Sequence, residues 1–138
     1  TIDFKGISLF ATRGGAYLGN ILATEADKRE MLSRYADLAL VDSVSEHICN
    51  ILSAHFKGVY EGAFGVDMMA VAREDGDGFM LHPCVELNLR RTMGHLALAL
   101  TPTIAEPQRI MSISYADKYR MRIHDTAKNL LNTSMVTP

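Results

Sequence analysis

The sequence predicts an α+β fold: a mostly antiparallel sheet built from hairpins, with a helix pair packed on one face. Three observations carry that prediction. Extended runs rich in β-branched and aromatic residues flank polar or glycine turns at three places. Two amphipathic helical stripes follow one another with only a short connection between them. The composition, 48% hydrophobic and 22% charged over 138 residues, suits one compact domain and excludes disorder. A chain of this length buries roughly 68–70% of its unfolded surface, enough for a core without staples.

In chain order, residues 2–10 and 16–22 are extended in character around Arg13-Gly14-Gly15 and form a first hairpin. Thr24 followed by Asp27 resembles a capping box with Asp in place of Glu. Met31, Tyr35 and Leu38 then recur at i, i+4 and i+7, which predicts a helix over 25–38. After Asp42, the stripe Val44, Ile48, Leu52 and Phe56 predicts a second helix stopping near Gly58, antiparallel to the first. Residues 60–72 and 79–90 flank the polar turn Arg73-Glu74-Asp75-Gly76-Asp77-Gly78 as a second, long-armed hairpin. Thr92 caps a short helix through 95–100 that Pro102 ends, and 101–108 reads as a surface loop. Residues 109–115 and 119–124 alternate apolar and polar around Ala116-Asp117-Lys118, a third hairpin.

Several function classes are disfavoured by charge and composition. Fourteen Lys+Arg against sixteen Asp+Glu give a net charge of −2, with no basic excess to attract a phosphate backbone, so nucleic acid is not an expected partner. No apolar run reaches the roughly 18 residues of a membrane span, so no membrane partner is expected. Cys49 and Cys84 cannot form a disulfide framework and no signal peptide precedes them, which predicts a cytoplasmic protein with free thiols. The chain opens at Thr1 directly into a strand-like run, which predicts a single domain cut from something longer.

The chemistry concentrates in the second hairpin. Side chains alternate across a strand, so His82, Cys84, Glu86, Asn88 and Arg90 share one face, while Leu81, Val85, Leu87 and Leu89 share the other and are expected to be buried. The facing strand brings Asp67 near Glu86. Two carboxylates and an amide oxygen then converge, a poor structural asset because the acids repel, and a good site for a hard cation such as Mg²⁺. A metal there would neutralise Asp67 and Glu86 and bridge phosphate oxygens, and Arg90 would add a bidentate cation.

The segments Gly65-Val66-Asp67-Met68-Met69 and Val85-Glu86-Leu87-Asn88-Leu89-Arg90, joined by a hairpin turn, resemble the carboxy-terminal signature of the ATP-grasp superfamily. The resemblance is most specific over residues 60–94, and the order of hairpin, helices and hairpin resembles that superfamily's larger lobe. It implies that Asp67, Glu86 and Asn88 are ligands to Mg²⁺ (or Mn²⁺) and that Arg90 assists phosphoryl transfer. The implied activity is ATP-dependent: a small carboxylate becomes an acyl phosphate that an amine or thiol attacks. The smaller lobe of the superfamily, with its phosphate-contacting Lys, has no counterpart here, so the chain alone is expected not to turn over.

Other assignments compete. His82, Cys84, Glu86 and His95 offer N, S and O donors for zinc, without a Cys-x-x-Cys or His-Glu-x-x-His motif to support it. Cys84 as a nucleophile needs a base and a depressed pKa. Arg13-Gly14-Gly15 offers a cation and backbone N–H groups to a cofactor phosphate, or is a plain turn. Tyr17-Leu18-Gly19-Asn20 receives no role. The alternative to a ligase lobe is a non-catalytic α+β binding or assembly module. A sheet face left bare would be closed by a second copy, giving a homodimer.

Overall fold

A computed structural model describes residues 1–102 and 107–125. The fold is α+β, with three helices and antiparallel strands throughout the described residues. The elements run β1 (Phe10–Arg13), β2 (Ala16–Leu22), α1 (Glu25–Leu32), α2 (Leu38–Phe56), β3 (Gly65–Ala72), β4 (Phe79–Asn88), α3 (Met93–Ala99), β5 (Arg109–Tyr115) and β6 (Tyr119–His124). They divide between two compact units. Of the described residues, one unit comprises 1–5 and 29–92, the other 6–28, 93–102 and 107–125.

The second unit holds a four-stranded sheet in the order β1-β2-β5-β6. The β1–β2 turn consists of Gly14 and Gly15, at φ +56° and +78°, two consecutive left-handed positions that glycine occupies without strain. β2 then pairs with β5, Asn20 opposite Met111 and Leu22 opposite Arg109. Gly19 makes this closeness possible, since a Cβ there would lie 2.6 Å from the Met111 carbonyl oxygen. Leu22, Met111 and Ala97 of α3 form the buried cluster on one side of the sheet. The third hairpin has the boundaries its alternation predicts, with Tyr115 opposite Tyr119 and Ile110 opposite His124. Of the expected loop 101–108, residues 103–106 lie outside the described ones.

At the start of α1, Thr24 Oγ1 accepts from the Asp27 N–H at 3.1 Å and donates to the Asp27 carboxylate at 2.7 Å, a local cap that explains the observed start. Glu25 and Lys28, one turn apart, together clasp the chain at Ile7. Glu25 accepts from the Ile7 N–H at 3.0 Å, Lys28 donates to the Ile7 carbonyl, and the two side chains pair at 2.7 Å. Lys28 is thereby fully buried.

In the first unit the expected helix over 25–38 breaks after Leu32. Tyr35 and Ala36 hydrogen-bond back to the Leu32 carbonyl, and Asp37 opens a new helix by accepting from the Ala39 N–H at 2.8 Å. Leu38 is therefore the first residue of α2, which begins earlier than its apolar stripe suggested. Phe56 at its end packs against Tyr60 and Phe64, ring centroids 5.2 and 5.3 Å apart, and leads the chain into β3. No helix among the described residues is long and apolar enough to cross a membrane.

Candidate functional site

β3 and β4 form a separate two-stranded sheet closed by the glycine turn, where the Arg73 N–H reaches the Gly78 carbonyl at 3.0 Å. Gly65 pairs with Asn88, Val66 with Leu87 and Asp67 with Glu86. The register then shifts: the next pair is Met69 with His82, so Pro83, Cys84 and Val85 on β4 oppose Met68 alone. A proline inside a strand fits such a bulge because the ladder there is already interrupted.

The pairing decides which side chains share a face. Cross-strand partners project to the same side, so Asp67, Met69 and Val71 lie on the same face as Glu86, His82 and Met80. The opposite face carries Phe79 and Leu81, both half-buried, and Phe79 meets the Tyr35 ring edge-on at 5.3 Å. Asp67 and Glu86 are thus direct neighbours. Asn88, buried and two positions along, points its amide nitrogen at the Asp67 carboxylate from 3.4 Å.

Two expectations need correction. Leu81 is half-buried, but Val85, Leu87 and Leu89 are exposed at 52%, 38% and 47%. Strict alternation fails through the bulge, and a sheet of two strands cannot cover its own faces. Arg90, placed on the strand by its spacing, lies beyond the end of β4 in a bend where its N–H donates to the Asn88 carbonyl at 2.9 Å.

Electrostatics mark Asp67. Burial pushes its carboxyl above the usual carboxylate range, the adjacent Glu86 adds to the rise, and the Arg90 charge opposes both. Arg90 therefore acts on the acid pair from outside the strand. Among the described residues no three His, Cys, Asp or Glu side chains gather as metal ligands. Cys84 sits exposed in the bulge. Arg13 ends β1 at the Gly14–Gly15 turn, exposed to solvent.

The stretch without an assigned role turns out to hold the sheet. Asn20, with no exposed surface, accepts from the Tyr17 hydroxyl and donates to Ser8 Oγ at 2.6 Å and the Leu9 carbonyl at 3.3 Å. Burial pushes the Tyr17 hydroxyl pKa up to about 12. An asparagine amid apolar residues on a strand was the available signal, because a buried amide requires partners. Comparison with protein-family models, with curated proteins and with solved structures gives no match.

Proposed function

We propose that this chain is the carboxy-terminal lobe of an ATP-grasp ligase, the part that holds Mg²⁺ (or Mn²⁺) and ATP while a small carboxylate is activated as an acyl phosphate. The observation that carries the reading is the cross-strand placement of Asp67 and Glu86 with Asn88 next along. The donor set fits a hard cation. Two carboxylates side by side, one of them resisting ionisation through burial, favour a positive partner, and the Asn88 amide supplies a further oxygen when turned. Asp67, Glu86 and Asn88 would hold the ion, which when bound would neutralise the acids and supply positive charge to a phosphate group.

The chain's own groups have separable tasks on this reading. Arg90 keeps a positive charge beside the acids and offers a planar fork to the transferred phosphoryl group. Arg13, next to two glycine N–H groups, would contact a cofactor phosphate. The rest of the nucleotide and the carboxylate substrate would be bound by elements outside these 138 residues, and the isolated chain would not turn over.

A second reading, a non-catalytic binding or assembly module, draws on the exposed Val85, Leu87 and Leu89. Manganese binding separates the two. Water-proton relaxation of the chain titrated with Mn²⁺ should reveal a site that Glu86→Gln removes without changing the melting temperature. Equal Mn²⁺ binding by the variant, or none by the parent chain, would sink the metal assignment. In a protein carrying the remaining lobe, Glu86→Gln should abolish ATP-dependent ligation.

A further inference from the structure

Strand β6 is the edge of the four-stranded sheet, and all six of its residues are exposed. Its side chains divide by alternation into two unlike rows. Arg120, Arg122 and His124 lie opposite Ser114, Ser112 and Ile110 of β5 and make a basic row, with Lys118 in the adjoining turn. Tyr119, Met121 and Ile123 make an apolar row, 79%, 49% and 43% exposed. Ile123 pairs with the fully buried Met111, so this row continues the core side of the sheet out to its edge among the described residues.

Among the described residues, little neutralises the basic row. Arg120 meets Asp117 at 3.3 Å, an exposed pair of the kind that contributes little, and His124 contacts the Ser112 hydroxyl at 3.2 Å. No acid pairs with Arg122 among the described residues. Yet the whole chain is net −2, so the positive charge is local to this edge.

We infer that β6 is a docking edge for an extended peptide whose side chains alternate acidic and apolar. A strand added at a sheet edge takes main-chain hydrogen bonds from it and sends alternate side chains over both faces at once. Acidic residues would then lie beside Arg120 and Arg122, and apolar ones beside Met121 and Ile123. A membrane surface or a nucleic acid would meet the basic face alone and leave the apolar row in water. The net charge of the chain supplies no long-range attraction to either. Charges on an edge commonly deter pairing, and here they would deter neutral or basic strands while admitting an acidic one, which is selectivity through repulsion.

The test uses a fluorescent peptide of alternating Glu and Val, one of the same composition with Glu and Val in blocks, and one of alternating Lys and Val. Anisotropy at low salt should show binding of the first alone, with amide NMR shifts confined to β5 and β6. The double variant R120E/R122E, altered only at exposed positions, should keep its melting temperature. It should bind the acidic peptide about tenfold or more weakly and gain preference for the Lys and Val peptide. Equal binding of the block peptide, shifts centred elsewhere, or an unchanged preference in the double variant would overturn the inference. So would binding of oligouridylate or of phosphatidylserine vesicles as tight as that of the acidic peptide.

Discussion

The four-stranded sheet and the β3–β4 hairpin both set side chains opposite one another across paired strands, and they do so to opposite ends. In the unit that holds the sheet, no buried side-chain polar atom among the described residues lacks a partner. Asn20 joins Tyr17, Ser8 and Leu9, and Lys28 joins Ile7 and Glu25, so two groups that are costly to bury become fasteners. In the hairpin, pairing sets one carboxylate against another and leaves apolar side chains in water. Paired polarity fastens a scaffold, whereas the two acids set together on the hairpin are the feature on which the proposed cation site rests.

That contrast is sharpened most by cutting the core. Met111→Ala should cost about 2–5 kcal/mol in urea denaturation, because Met111 is fully buried against Leu22 and Ala97. A loss below about 1 kcal/mol would show that the sheet is not the stable half. Lys28→Met comes next, at about 1–3 kcal/mol, since the Ile7 carbonyl loses its donor. The effect stays moderate because Glu25 is 44% exposed and can regain water.

The smallest change is expected in the hairpin, and it has the opposite sign. Asp67→Asn removes like-charge repulsion and should stabilise the chain by less than about 1 kcal/mol at neutral pH. The pH dependence follows from the direction of the shift. With its folded pKa raised, Asp67 holds its proton more tightly in the folded chain, so its contribution is most favourable below the ordinary carboxylate value. It declines as the pH rises through the raised value, and levels off above it. Melting curves across the acid range should show that decline in the parent chain and its absence in Asp67→Asn. An identical slope in both would remove the electrostatic distinction between hairpin and sheet.

Legibility in the sequence followed the range of the interactions. The third hairpin was readable to the residue because alternation and the turn at Ala116-Asp117-Lys118 are local signals. The break after Leu32 was not, because Met31, Tyr35 and Leu38 fit a helical period while the cap at Asp37 ends it. In the site, Asp67 opposite Glu86 was within reach of hairpin geometry. The exposure of Leu87 and the departure of Arg90 from the strand were not, since they depend on how many strands the sheet gains and where its ladder stops. The burial of Lys28 required knowing that Gly6 and Ile7 pass along α1, a contact distant in sequence.

The bulge in β4 gives the acid pair an arithmetic of its own. Between the pairs Asp67–Glu86 and Met69–His82, one strand advances two positions and the other four. The bulge absorbs the two surplus residues, and pairing resumes with Glu86 opposite Asp67 and Asn88 opposite Gly65. Losing both would regularise the ladder, and losing one would leave an ordinary single-residue bulge; in either case the acids keep meeting. The stretch Pro83-Cys84-Val85 is thus slack in the strand, a place where a change of length is taken up before it reaches the acid pair.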